Sequence, residues 1–301
     1  MKPNSILLAV VAVIFIISLV CIWLYPSIQD LATANNMWNG IKKTTSELHA
    51  ETVTSLDDSP DVPQNTALIV IPDKDYSDEE MARLQQFVEG GGRLVLMDDY
   101  GYGNRILAHM GVGITFAAQP LLDPLFCYQN QQMPRSTDFS SQIQEQGISV
   151  ITLNRATALS NVDASEAIAW SSPSSFLDLD NDGSWQEGEP EGPFPVAAEF
   201  RLGSGTVDVV ASPGMIINSL YQKDDNLLFV KYLTGYEAGT EKILVDSSHL
   251  STTPLDVSKI RLLEIRQMLS NPYAILGILL LVFLAVSVYT LRKGEILGSS
   301  E

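Results

Sequence analysis

One segment of the sequence carries acidic residues at the spacing of a calcium-binding loop. Residues 178–189 read DLDNDGSWQEGE and satisfy the pattern D-x-D-x-D-G-x5-E without a mismatch. In this pattern the first three carboxylates converge on one Ca²⁺, the glycine permits a sharp turn, and the final glutamate closes the coordination shell. The alternative is a solvated acidic loop that binds no cation. We name this segment the acidic loop, and its predicted ligands are Asp178, Asp180, Asp182, Ser184, Gln186 and Glu189.

The residues around the acidic loop argue against a helix–loop–helix calcium sensor. Pro173 precedes the loop, and Pro190, Pro193 and Pro195 follow it, so regular helices cannot flank it. We therefore expect an isolated calcium staple of the dockerin or thrombospondin-repeat kind, with a dissociation constant of about 10⁻⁴–10⁻³ M. An affinity this weak would suit the outside of a cell better than the calcium-poor cytosol.

A second group of polar residues follows two predicted strands. Asp98 and Asp99 come directly after one apolar run, and Asp246 and His249 follow another. Ligands of open α/β sheets bind outside the carboxyl ends of the strands, so we expect these four side chains near one edge. They form a possible ligand or metal pocket there. The alternative is that they cap helices and bond loop backbone.

The elements that would position these residues alternate between strands and helices. Apolar runs predict buried strands at 66–72, 93–97, 148–153, 206–211 and 242–245. Ser77 and Glu80 have the spacing of a capping box that opens a helix, and residues 224–234 predict another. This alternation predicts an α/β fold with a doubly wound, mostly parallel sheet. Residues 119–200, rich in Pro, Gln and Ser, are interpreted as an insertion of loops and short strands.

Apolar segments near both ends of the sequence predict membrane anchors. Residues 6–24 and 273–291 contain no charged residue, and each approaches the about 20 residues that a helix needs to cross a bilayer. Lys2, Arg292 and Lys293 favour cytoplasmic termini, although basic residues near 259–266 oppose this orientation.

We therefore expect a two-span cell-membrane protein with both termini in the cytoplasm and its large domain outside. The predicted parts are an anchor at 1–25, an extracytoplasmic α/β domain at 26–271, and a second transmembrane helix with a short cytoplasmic tail at 272–301.

Several stretches resemble a known family. The segments FVEGGGRLVLMDD, DDNLLFVKYL and KILVDSSHL, between two apolar ends, resemble a membrane-protein family of unknown function. That family is described as having a class I glutamine-amidotransferase-like fold. Its relatives resemble membrane components found beside MoxR-type AAA ATPases and von Willebrand-type proteins. The resemblance therefore implies a membrane assembly role and partners of these two kinds.

The sequence departs from a working glutamine amidotransferase. Such an enzyme needs a cysteine on a tight, glycine-flanked turn after a strand, with a histidine and a carboxylate to activate it. Asp98 and Asp99 stand after the 93–97 strand instead, and Cys127 has no flanking glycines. The three histidines of the chain show no metal-binding spacing. We therefore expect no enzymatic activity.

The composition narrows the function further. The 301 residues include 36 acidic and 18 basic side chains, which gives a formal net charge of −18 and argues against a nucleic-acid partner. The expected function is a calcium-stabilised binding or assembly module at the lipid bilayer, within a membrane complex. Two alternatives stay open: a metal-assisted hydrolase or relict amidotransferase-like enzyme that uses the Asp98, Asp99, Asp246 and His249 edge, and a structural or adhesive surface domain.

Overall fold

The fold was obtained as a computed structural model, which describes residues 3–25, 27–58, 63–236, 238–270 and 276. The helices are α1 Pro3–Leu24, α2 Lys42–Glu47, α3 Asp78–Glu89, α4 Gly103–His109, α5 Ser141–Glu145, α6 Asn226–Leu233 and α7 Pro254–Ser270. The strands are β1 Glu51–Val53, β2 Thr66–Val70, β3 Arg93–Met97, β4 Thr115–Phe116, β5 Leu121–Leu122, β6 Arg135–Ser136, β7 Asp138–Phe139, β8 Ile151–Thr152, β9 Leu159–Ser160, β10 Ala167–Trp170, β11 Phe176–Leu177, β12 Pro195–Leu202, β13 Gly205–Val210 and β14 Lys242–Asp246.

A mixed sheet organises the fold. In the described part of the chain, eight strands form this sheet in the order β1-β14-β2-β3-β13-β12-β10-β7. Strands β1, β14, β2, β3 and β13 pair in parallel, whereas β12, β10 and β7 extend the sheet in antiparallel pairs. The predicted α/β fold is confirmed, but the sheet is mixed rather than mostly parallel. The reason is that residues 119–200, predicted as an insertion, supply β7, β10 and most of β12.

Four strands of the parallel part, β2, β3, β13 and β14, form close to their predicted positions. Strand β1 was not predicted, and the strand predicted at 148–153 forms only the short β8, outside this sheet. Strands β2 and β3 pair with Leu68 opposite Leu94, and β2 is buried along its whole length. Between them, Ser77 and Glu80 close the capping box at the start of α3. Successive residues of each strand pack into different apolar clusters: Ile69 lies in one and Leu68 in the other. Apolar side chains are thus buried on both faces of the sheet, which explains the continuous apolar runs.

The predicted membrane spans require correction. Among the residues that the structure describes, no helix combines the length and the apolar character needed to cross a membrane. A crossing needs about 20 predominantly apolar residues in one helix. The prediction of flanking transmembrane helices is therefore wrong, and so is the predicted location in a cell membrane with two spans, cytoplasmic termini and an extracytoplasmic domain. The second predicted span, 273–291, lies outside the described residues except at position 276.

The chain divides into two compact units. Residues 26–251 form the unit that contains the sheet, and the terminal segments, with α1 and α7, form the other. Every predicted site residue belongs to the first unit. Within it, β11 pairs antiparallel with β5 in a short ribbon beside the large sheet. The acidic loop begins directly after β11, so this ribbon sets its position.

Candidate metal centre

Backbone hydrogen bonds pin both ends of the acidic loop. The Asp178 N–H donates to the Pro120 carbonyl oxygen at 2.9 Å, and the Leu177 N–H donates to the Pro190 carbonyl oxygen at 3.1 Å. Gly183 adopts a φ of 79°, a left-handed conformation that glycine reaches without steric cost. The side-chain amide of Gln131 donates to the Gly183 carbonyl oxygen at 2.6 Å and ties the turn to the preceding loop.

The structure brings the first three predicted ligands together. One carboxylate oxygen from each of Asp178, Asp180 and Asp182 lies within 4.8 Å of the others. Asp178 is only 3% exposed, whereas Asp180 and Asp182 are exposed. Oδ2 of Asp178 accepts a hydrogen bond from the Gly183 N–H at 3.0 Å, but its buried Oδ1 has no hydrogen-bond partner. A buried carboxylate oxygen without a donor is costly, and a bound cation would remove that cost.

The other predicted ligands organise the loop from within. The Gln186 side-chain amide donates to Asp180 Oδ2 at 3.1 Å and to Asp182 Oδ2 at 2.7 Å. The Ser184 N–H donates to Asp182 Oδ1 at 2.7 Å. Glu189 stands outside the group of three carboxylates, and its oxygens accept hydrogen bonds from the backbone N–H groups of Leu179 and Gln186. The loop thus concentrates three carboxylates, while Glu189 shapes the backbone around them.

A cavity of about 600 Å³ opens beside the acidic loop, and we name it the loop cavity. Asp178, Asp182, Tyr100 and Arg155 are among the residues that line it. Apolar residues from 118–122 also contribute to the lining. Arg155 is exposed and has a φ of 52°, a left-handed conformation that is uncommon outside glycine.

Asp246 and His249 meet in a second cluster, at the carboxyl end of β14. We name it the edge network: Tyr76, Glu80, Asp246, Ser248 and His249. Nδ1 of His249 lies 2.7 Å from Asp246 Oδ2, and Nε2 lies 3.4 Å from Glu80 Oε1. The Tyr76 hydroxyl donates to Asp246 Oδ2 at 2.6 Å, and its ring stacks on His249 with the ring centroids 3.4 Å apart. Ser248 donates to Asp246 Oδ1 through its N–H at 2.9 Å and its hydroxyl at 2.5 Å.

Hydrogen bonding sets the charge state of this network. Burial alone would raise the pKa of Asp246, but hydrogen bonds from His249, Ser248 and Tyr76 outweigh burial and hold that pKa below its usual value. Burial and the neighbouring Asp246 carboxylate raise the pKa of Tyr76 far above its usual range. Tyr76 therefore stays a donor and Asp246 stays an ionised acceptor at neutral pH.

The remaining predicted edge residues, Asp98 and Asp99, have different surroundings. The buried Asp98 carboxylate accepts hydrogen bonds from the N–H groups of Asp99, Gly101 and Gly103 at 2.6–2.8 Å. Burial raises the pKa of Asp98 to about 6 despite these bonds. Burial also raises the pKa of Asp99, while the nearby Arg155 opposes that shift. Asp98 therefore organises the turn after β3, and Asp99 lies toward Arg155.

Sequence reasoning did not identify four residues of these two sites. Tyr76 and Glu80 lie in and just after the β2–α3 connection, while Tyr100 and Arg155 line the loop cavity. Glu80 was recognised only as a capping residue, a role that it also has. Contacts such as Tyr76 to Asp246 join positions 170 residues apart, so no local spacing could have revealed them.

Residues 34–234 match the family model described as a domain of unknown function, DUF4350, over more than half of the chain. The chain belongs to this family. The predicted relationship to a family of unknown function is thus confirmed, whereas the comparisons do not support its class I glutamine-amidotransferase-like or membrane-anchored character. None of the curated proteins compared with the chain matches its sequence.

Solved structures align with the DUF4350 chain at low sequence identity. The mmIFT52 N-terminal domain aligns with a TM-score of 0.51 and 16% identity, over 69% of this chain and 94% of that domain. A thua-like protein from Bacteroides uniformis has a TM-score of 0.41 and 12% identity, over 66% and 84% of the two chains. A beta-galactosidase from Bacillus circulans sp. alkalophilus has a TM-score of 0.36 and 14% identity, over 58% of this chain and 23% of the enzyme. Of these three structures, only the first has a TM-score above 0.5, and at 16% identity it indicates the fold alone.

Proposed function

We propose that this DUF4350 protein is a non-enzymatic binding or assembly module whose acidic loop takes up Ca²⁺ as a structural staple. The observation that carries the proposal is the buried Asp178 Oδ1, which lacks a hydrogen-bond partner inside a group of three carboxylates. Among the described residues, it is the one carboxylate oxygen that is both buried and without a partner. Oxygen-rich sites of this kind suit hard cations such as Ca²⁺.

The enzymatic alternative has weaker support. A catalytic His249 would need a ring nitrogen free to reach substrate, but one nitrogen bonds Asp246 and the other faces Glu80. His249 and Asp246 are also 5% and 1% exposed. These contacts favour a role in joining β14 to α3, so the hydrolase and the relict amidotransferase-like enzyme stay second to the binding module.

The assembly partner is a separate part of the proposal. MoxR-type AAA ATPases and von Willebrand-type proteins are the first candidates, because the family resemblance of the sequence implies them. Co-purification of the tagged full-length chain with each candidate, in calcium and in chelator, tests this part. If neither candidate co-purifies with the chain in calcium, both are excluded as partners.

Calcium binding is tested on the full chain by calorimetric titration and by thermal unfolding. With a dissociation constant of about 10⁻⁴–10⁻³ M, about 10 mM Ca²⁺ stabilises the folded state by about 1.4–2.7 kcal/mol. That increment corresponds to a rise in Tm of about 3–10 °C for a unit of this size. Asp180→Asn should lose the calcium-dependent rise in Tm. Asp163→Asn, at an exposed acidic residue outside the loop, should keep that rise. A native Tm that is equal in calcium and in chelator would refute the staple.

A further inference from the structure

The loop cavity has the size of a ligand site and an uneven distribution of charge. Its volume of about 600 Å³ falls within the range of about 300–1,000 Å³ that small-molecule sites occupy. Carboxylates of Asp178 and Asp182 line it, and so does the guanidinium-bearing Arg155. Within the described residues, no ion pair engages Arg155, whose charge also acts on the nearby Asp99 carboxylate.

A cation in the acidic loop would have coordination positions to spare. Ca²⁺ takes six to eight oxygen ligands. Three carboxylates converge here, whereas Glu189, which would supply two oxygens in the full pattern, stands outside their group. Because Asp178 and Asp182 also line the loop cavity, an external oxygen can reach the cation from that side.

Tyr100 adds a hydroxyl-bearing side chain to the lining of the loop cavity. Its hydroxyl lies 3.3 Å from the Ala156 carbonyl oxygen, and both residues line the loop cavity. Burial raises the pKa of Tyr100 to about 12, with Asp99 adding to the shift and Arg155 opposing it. The hydroxyl therefore stays neutral at neutral pH, and it donates its proton to the Ala156 carbonyl oxygen. A guanidinium and a cation around one cavity select for an anionic ligand.

We infer that the loop cavity binds a small organic anion whose carboxylate or phosphate group bridges the loop-bound cation and Arg155. This inference rests on the proposed calcium site, because without the cation the carboxylates of Asp178 and Asp182 would repel the ligand. Calcium uptake thus changes one wall of the cavity from repelling anions to coordinating them.

The test uses three ligands with similar sugar rings and different charges. Glucose is neutral, glucuronate carries a carboxylate, and glucose 6-phosphate carries a phosphate. Each is titrated calorimetrically into the full chain, in saturating calcium and in chelator. We expect one or both anions to bind at least about ten-fold more tightly than glucose, and only in calcium. The preferred anion then identifies the ligand group.

Variants separate this inference from the calcium site itself. Arg155→Gln should weaken anion binding at least about ten-fold while calcium uptake persists, and Arg155→Lys should retain part of the affinity. Arg201→Gln, at an exposed arginine in β12, is the matched control. Asp178→Asn should abolish both binding events.

Each failure has its own signature. If the native chain takes up calcium but binds the anions no better than glucose, the anion inference is wrong and the staple stands. Anion binding that survives chelator, or that survives Arg155→Gln, also overturns the inference. If titration of calcium into the native chain gives no binding heat, the proposed calcium site is wrong. The anion inference, which depends on that site, is then wrong as well.

Discussion

The acidic loop and the edge network are both rich in carboxylates, but they balance negative charge in different ways. In the edge network, Asp246 accepts hydrogen bonds from Tyr76, Ser248 and His249, and each of its two oxygens has a partner. In the acidic loop, the equally buried Asp178 has one oxygen without a partner. Both carboxylate oxygens of Asp246 are thus engaged within the fold, whereas Oδ1 of Asp178 is not.

This difference distinguishes the two clusters more clearly than their residue types do. By type alone, a histidine beside an aspartate suggests chemistry more strongly than a turn of aspartates does. The contacts reverse that order, because polar atoms that already have partners have little left for a ligand. Satisfaction of each polar atom is therefore the more informative criterion in this protein.

The largest expected effect comes from breaking the complete cluster. Asp246→Ala removes the acceptor that His249, Ser248 and Tyr76 share, and it leaves buried donors unpaired. We expect a loss of about 3–5 kcal/mol in the free energy of unfolding, equal in calcium and in chelator. Urea unfolding of the full chain measures it. A loss confined to calcium-containing buffer would show that the two clusters are coupled, which would break the comparison.

Removal of one donor should give the next largest effect. Tyr76→Phe keeps the ring that stacks on His249 but deletes the hydroxyl that donates to Asp246. A lost hydrogen bond to a charged group should reduce the unfolding free energy by about 1.5–3 kcal/mol, again without calcium dependence. Tyr232→Phe, which removes a hydroxyl that donates to Glu199, is the matched control outside the edge network. An unchanged unfolding midpoint for Tyr76→Phe would show that the edge network does not need this donor.

In the acidic loop, by contrast, a substitution should reduce stability only when calcium is present. Asp178→Asn should abolish the calcium-dependent stabilisation of about 1.4–2.7 kcal/mol in about 10 mM Ca²⁺. In chelator the same variant should be as stable as the native chain or slightly more so, because it removes mutual repulsion of carboxylates. Thermal unfolding in both buffers, beside Asp163→Asn, measures the contrast. Destabilisation of equal size in both buffers would mean that the acidic loop is structurally complete, like the edge network.

The smallest expected effect is a difference in pH dependence. The lowered pKa of Asp246 contributes stability above its unfolded pKa near 3.9, and that contribution is lost as the pH falls through the lower folded value. The raised pKa of Asp98, about 6, has the opposite sign: stability falls as the pH rises from about 4 to 6. Tyr76→Phe should therefore flatten the acid limb below pH 4 only. Flattening between pH 4 and 6 instead would show that the acid limb below pH 4 does not arise from Asp246.

The sequence predicted the elements whose signals are local. Strand β3 was predicted over the residues that it occupies, and the capping box of Ser77 and Glu80 formed as expected. The antiparallel extension was not predicted, because β7 and β10 are short, lie among turns, and depend on partners far along the chain. Strand pairing of this kind is decided by tertiary context rather than by local pattern.

The candidate sites also differ in how far local sequence signals predicted them. The acidic loop could be recognised because its carboxylates lie close in sequence and follow a fixed spacing. For the edge network, the sequence indicated Asp246 and His249 but not Tyr76, which reaches them only after β2 and β14 pair. The loop cavity left no signal at all, since Tyr100, Arg155 and Asp178 meet only in the folded chain.

The left-handed backbone of Arg155 has a consequence for the stability of the chain. An arginine at a φ of 52° carries a conformational cost of about 1–2 kcal/mol that asparagine largely avoids. Arg155→Asn should therefore fold at least as stably as the native chain while it loses the guanidinium. A more stable variant with weaker ligand binding would reveal a trade-off in which robustness was given up for recognition.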